Sequence, residues 1–398
     1  MQRPDRTAML AALERPVVAE SPSLDKGRCD ACADQVAELF RQRTGVAAIR
    51  HRRPDRGDHL EIRIGEGVEP IVLLCHHDTV WPEGTLARLP FRVDGDRVTG
   101  PGSYDMKAGI VEAAFALESA KPKRPVVVLS TSDEEIGSAS SRALIEETAR
   151  KAAAVLVLEP AASGGAIKTA RKGIADFILE VDGRAAHAGV EPEKGISAIE
   201  ELAHQVLALR ALSDPASGTT INVGVVGGGT RPNVVAAHAR AEIDVRFARA
   251  TEAERVVRAI NDLQPKLAGA RLHVSGGVDR PPMERSAGTI RLAQLAQRLA
   301  GEVGFALSET STGGGSDGNF TAAIGVATLD GLGPDGGGAH AASEGRLGDH
   351  FAFSVSWGNS INPITGTNWE GVGVVPDVKV SADEALAAAL KLLRDRAP

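Results

Sequence analysis

A chain of 398 residues, 43% hydrophobic and 24% charged, has the composition of a globular protein and the length of two domains rather than one. Its net charge of −7, with no Lys/Arg-rich block, argues against a nucleic-acid or acidic-membrane partner. No stretch approaches the roughly 20 apolar residues of a membrane span, the start MQRPDRTAML is not a secretory signal, and 3 cysteines make no disulfide framework, so a cytoplasmic location is expected.

The first half of the chain alternates between two periodicities. Helical spacing covers residues 32–43, and short strands are expected at 47–50 and 60–64. Residues 71–75 form an apolar run too short and too β-branched for a helix, as in a strand buried on both faces. A helix is expected over 107–119, a strand over 125–130, a helix from the Ser138–Ser141 cluster to 151, and a strand over 155–158. Such alternation implies an α/β catalytic domain with a mainly parallel central sheet and helices on both faces. Cys29 and Cys32 form a lone CxxC with no second pair, and read as small residues near a helix start.

The middle of the chain changes character. Residues 174–181 alternate apolar and polar, and a long helix over 195–212 carries Ile196, Ile199, Leu202, Ala203 and Val206 on one face. Strands at 220–226 and 239–247, a helix over 252–263 and a strand near 271–274 complete a β-α-β-β-α-β order, that of an inserted α+β ferredoxin-like domain with one open face. The expected division is 1–173 with 282–348 for the catalytic domain, 174–281 for the insert, and 349–398 for an atypical C-terminal segment.

Ligands of an open α/β sheet gather at the carboxyl ends of its strands. His76-His77-Asp78, Asp133-Glu134-Glu135 and Glu159 each follow an expected strand, Asp105 precedes a helix, and His340 lies in a Gly-rich loop after the strand near 326–329. Each has an ordinary reading alone: Asp105 as a helix N-cap, Glu134 and Glu135 as a solvated turn, Glu159 as a loop anion. Their recurrence at successive strand ends points instead to a metal centre. Imidazoles and carboxylates are zinc donors, and a carboxylate able to bridge suits a pair of ions. Either His76 or His77 suits as the first imidazole.

Several segments carry a resemblance: His76-His77-Asp78-Thr79-Val80, Gly102 to Lys107, Ser132 to Ser138, Leu158-Glu159-Pro160, Gly183 to Gly189, Gly313 to Asp317 and Gly338-Ala339-His340-Ala341. In this order the chain, over about residues 15–348, resembles the glutamate carboxypeptidase branch of the dinuclear zinc peptidases and deacylases, a family that includes aminoacylases and succinyl-diaminopimelate desuccinylase. The resemblance implies two Zn2+ per subunit. His76 and Glu159 would serve the first, Glu135 and His340 the second, and Asp105 would bridge. Asp78 would orient His76, Glu134 would be the general base, and His77 would be left to packing. In the insert, His187 would stabilise the oxyanion, often in a partner's site, while Arg246, Asn233 and Gly314 would contact substrate. The expected activity is cleavage of an amide next to a free carboxylate in a small N-acyl amino acid or peptide, releasing C-terminal glutamate or a similar amino acid. An N-acyl-amino-acid deacylase or dipeptidase is the alternative, and a non-catalytic zinc-binding protein a remote one. A homodimer through the insert is implied as well.

After about Gly348 that resemblance stops. The segment from Asn362 to Gly373, followed by Pro376-Asp377, resembles the tail of serine peptidases related to retinoid-binding-protein repeats, without a nucleophile. Two readings of this tail stand side by side: a fusion or frame-joined product, or residues 382–394 as the family's terminal helix, for which Ala385, Leu386, Ala389, Leu390 and Leu393 keep helical spacing.

Overall fold

The computed structural model describes residues 5–120 and 122–339, and the backbone alone of three short strands at Ala342–Ser343, Arg346–Leu347 and His350–Ala352. The expectations for His340 and for the segment beyond residue 352 lie outside the described residues.

Two helices open the chain. α1 (Arg6–Val18) is capped by Asp5, whose carboxylate accepts the Thr7 N–H. α2 (Lys26–Thr44) is capped by Asp25 on Arg28 N and ends at Gly45 in the left-handed conformation. β1 (Ile49–His51), β2 (His59–Ile64) and β3 (Ile71–His76) follow, then the hairpin β4 (Arg92–Asp94) and β5 (Arg97–Thr99). Next come α3 (Ala108–Ala120), β6 (Val126–Thr131), α4 (Arg142–Arg150), β7 (Ala154–Val157) and β8 (Ile167–Arg171). The middle holds β9 (Gly173–Asp182), α5 (Ala198–Ala211), β10 (Thr220–Gly228), β11 (His238–Phe247), α6 (Ala250–Asn261) and β12 (Arg271–Arg280). The chain then returns through α7 (Ala287–Glu302), β13 (Glu309–Thr312), α8 (Gly318–Ala323) and β14 (Thr328–Leu329).

The first sheet runs β1-β2-β6-β3-β7-β14, with β6, β3, β7 and β14 mutually parallel and β1 and β2 forming an antiparallel edge. Every residue of β6 is buried, which is why its sequence opens on the apolar run Val126 to Leu129. One face packs on α1, α2 and α3 through Leu13, Val36, Phe40, Ile110 and Phe115; the other packs Val72, Leu74 and Leu129 on Ile145 and Phe320. The second sheet, β10-β11-β9-β12, is antiparallel and covered on one side. There Ala175, Phe177, Leu179 and Val181 meet Leu202, Leu209, Val256 and Ile260 of α5 and α6, while the alternate residues face outward.

The crossing between the sheets is narrow. At Gly173 a Cβ would lie 2.2 Å from the Phe247 ring and 2.8 Å from Pro282 N, so the outgoing and returning chains touch where only glycine fits. Two differences from the sequence expectations stand out. The strand expected over 271–274 continues to Arg280, because Gly276, at φ +112, lets the backbone pass where a Cβ would sit 2.1 Å from Asp176 O. α1 and β8 were not anticipated at all: α1 contains Pro16, and β8 is short and bounded by Lys172-Gly173.

Candidate metal centre

The apolar runs that build the first sheet also aim its polar ends. His76 is the last residue of β3, in register with Thr131 at the end of β6, and Glu159 lies two residues past β7. Glu134 and Glu135 occupy the 3-10 turn Glu134–Ile136 just after β6. Asp105 sits in the turn Ser103–Lys107 before α3, at φ −114 and ψ 99, and Met106 and Lys107 separate it from the first residue of that helix.

These side chains converge. His76 Nε2 lies 3.3 Å from Asp105 Oδ1 and 3.4 Å from Glu159 Oε1. Donor atoms of His76, Asp105 and Glu135 all fall within 4.8 Å of one another, and so do those of His76, Glu134 and Glu159. The His76 side chain is 2% exposed and those of Asp105 and Glu159 14% and 10%. Burial opposes charge on His76, yet Asp105, Asp78 and Glu159 outweigh it and raise the imidazole's pKa well above the ordinary value. Negative charge is therefore in surplus around Nε2. One imidazole among several carboxylates, with that surplus, is a donor set that fits divalent metal.

Asp78 organises the site from beneath. It is fully buried; its Oδ1 is 3.4 Å from His76 Nδ1, while its backbone carbonyl is 3.1 Å from the same nitrogen. Its carboxylate also accepts from Ser23 Oγ at 2.7 Å and from the N–H groups of Glu134 and Glu135 at 3.3 and 3.2 Å. Burial pushes its pKa upward, but His76 and Ser23 prevail and hold it below the usual range. One carboxylate thus fixes both the ring and the turn bearing the two glutamates. His77 points elsewhere: its Nδ1 is 2.9 Å from Ser130 Oγ, it is wholly buried, and burial depresses its pKa to about 3.

Glu134 is distinguished from its neighbours by a cation. Arg280 Nη2 lies 3.1 Å from Glu134 Oε1 and donates to the Glu134 carbonyl at 2.8 Å. The same guanidinium donates to Asp317 Oδ1 at 2.8 Å and to Ser138 Oγ at 2.9 Å. Burial drives the Glu134 carboxyl well above its ordinary pKa against the opposing pull of Arg280. Sequence reasoning passed over Arg280, Asp317 and Arg171, whose fork holds Asp330 beside Glu159. The signals available were an arginine before Pro281-Pro282 and an aspartate closing the Gly313-Gly314-Gly315-Ser316 run.

The residues expected to meet substrate lie elsewhere. His187 and Asn233 are exposed on adjoining loops of the second sheet, where Ala188 N donates to Asn233 O at 3.0 Å. Arg246, the last residue but one of β11, is gripped by Asp244, with Nε 2.9 and 3.0 Å from its two oxygens and Nη2 at 2.6 Å. Gly314 is exposed beside β13, and a Cβ there would meet nothing within 4 Å. No helix among the described residues is long and apolar enough to cross a membrane.

Known proteins resemble this chain in sequence and in fold. A family model described as the M20 peptidase dimerisation domain matches residues 169–270. Carboxypeptidase G2 of Pseudomonas sp. (strain RS-16) is 34% identical over 294 residues, 71% of each chain. An acetylornithine deacetylase of Salmonella arizonae is 29% identical over 46% of this chain and 51% of its own. Among solved structures, the aminopeptidase PepT of Bacillus cereus superposes with a TM-score of 0.74 at 24% identity, covering 88% of this chain and 94% of that one. An M20 family metallo-carboxypeptidase of Sulfolobus solfataricus gives 0.65 at 15% identity, over 89% and 96%. The strand-end cluster, the second sheet and the relative that matches most of the chain lead to one conclusion: the chain belongs to the M20 peptidase family of metal-dependent hydrolases.

Proposed function

We propose that the chain is a dinuclear zinc carboxypeptidase, acting in the cytoplasm on small N-acyl amino acids or peptides and releasing a C-terminal glutamate or similar residue. The observation that carries this reading is the His76-centred cluster, in which Glu134 is engaged by Arg280. His76 and Glu159 would hold one zinc, Glu135 the other together with His340, and Asp105 would bridge. When bound, the metal pair lowers the pKa of water and polarises the scissile carbonyl. Glu134 takes the proton of the attacking water and returns it to the leaving amine, the task of a buried carboxylate with a raised pKa. Asp78 keeps His76 Nε2 turned inward throughout. Arg246 receives the substrate's carboxylate: Asp244 holds its guanidinium by Nε and Nη2, and Nη1 makes no hydrogen bond among the described residues.

A homodimer accompanies this reading. β10 is an edge strand of the second sheet; its Val225 and Val226 are 54% and 59% exposed, and Ile199 and Leu207 of α5 are 48% and 66% exposed. A second copy seated there would cover them and present the exposed His187 to a neighbouring site as an oxyanion donor. Leu207→Asp should then give a monomer by sedimentation; a dimer persisting at the same concentration would exclude this interface.

The enzyme reading is tested by glutamate release from an N-acylglutamate with and without a chelator. Chelator-sensitive release that returns with zinc is expected. Absence of release from any N-acyl amino acid or dipeptide would overturn it.

A further inference from the structure

Arg171 ends β8, which pairs with β13 just before the chain enters β9, and its N–H and C=O bond to Met283, on the returning chain, at 3.0 and 3.1 Å. The side chain is 4% exposed. Nε donates to Asp330 Oδ2 at 2.8 Å and Nη2 to Oδ1 at 2.6 Å. Nη1 donates to Gly315 O at 3.0 Å and Gly314 O at 3.3 Å, and Nη2 stands 3.7 Å from Glu159 Oε2. Asp330, itself fully buried, accepts from Ser316 Oγ at 2.6 Å and pairs by its backbone with Lys168.

A buried ion pair gains little stability over an apolar pair of the same size, so its presence has to be sought in what it orients. Here one guanidinium plane joins three things: the Gly-rich loop, the Asp330 fork and Glu159. Gly313 and Gly314 are exposed while Arg171 beneath them is buried, so the loop is a thin cover over the arginine. Drawing the Gly314 carbonyl inward turns the next amide outward, because a trans peptide directs C=O and N–H oppositely. The Gly315 N–H is thereby offered on the solvent side as a donor.

We propose that Arg171 is a positioning residue that, through its buried fork with Asp330, locks the Gly313-Gly314-Gly315 loop and Glu159 at a fixed spacing and so sets both substrate affinity and metal affinity. This rests on the reading that Glu159 holds metal and the Gly loop meets substrate. Lysine keeps the charge opposite Asp330 but cannot span the fork and both carbonyls, and a Met/Leu pair removes the charges together while filling the volume.

The test compares the wild type, R171K and the double variant R171M/D330L by thermal melting, by competition for zinc with a chromophoric chelator, and by kcat and KM on an N-acylglutamate. The expected result is a folded R171K with zinc affinity about 10-fold weaker and KM about 10-fold or more higher, and the same losses in a double variant that melts near the wild type. Wild-type values of either constant in either folded variant would overturn the proposal, leaving Arg171 a packing residue. A wild type that binds zinc but releases no glutamate would instead count against the proposed reaction, and the zinc competition would still judge Arg171.

Discussion

The two sheets bury their strands in opposite ways, and their contributions to the site differ accordingly. β3 and β6 are packed on both faces by helices, and their ends hold His76 and the Glu134-Glu135 turn with no freedom of register. β9 and β11 bury one face only, and their outward residues, Asp244, Arg246 and the loops bearing His187 and Asn233, remain accessible. Chemistry that requires fixed distances sits on the doubly covered sheet. Under the proposed function, most of the recognition, which must admit and release a ligand, falls to the sheet with a free side.

The sharpest way to break that comparison is at its rigid end. Glu134→Gln should lower kcat by about 10²–10⁴-fold, the usual worth of a general base, with zinc retained. Turnover near the wild-type rate would remove Glu134 from the role. A matched pair of core truncations comes next. Leu74→Ala and Leu179→Ala, at 1% and 0% exposure, should each cost about 2–5 kcal/mol in urea unfolding. Leu74 lies two residues before His76, so its truncation alone should also weaken zinc binding; equal weakening by both would mean that the sheets do not divide the work. Smallest is Arg246→Ala, expected to raise KM about 10-fold for substrates with a free carboxylate. An equal rise on the esterified substrate would remove its recognition role.

What the sequence disclosed follows from the same contrast. The run Ile71 to Cys75 and the run Val126 to Leu129 are legible because burial on both faces disfavours polar residues, and the polar side chains that follow them lie at the strand ends. Motif order then picked out His76, Asp105, Glu134, Glu135 and Glu159, and the fold brings them together. The charges behind the site were not legible. Arg171, Arg280, Asp317 and Asp330 look like surface residues in a linear reading, since nothing local says that residues 37 to 186 positions apart will satisfy one another once buried. Nor did spacing reveal that Asp78 would accept from the Glu134 and Glu135 amides, because that bond links the ends of two strands that meet only in the sheet. α1 was missed for another reason: Pro16 interrupts its pattern, and its burial comes from α2 and α3 rather than from its own periodicity.

The central claim is that Asp105 joins two metal ions beside His76. Elemental analysis of dialysed protein measures it most directly. The account predicts about two zinc ions per chain in the wild type, falling below one in Asp105→Ala protein that still melts cooperatively. An Asp105→Ala chain that keeps its full zinc content would contradict it.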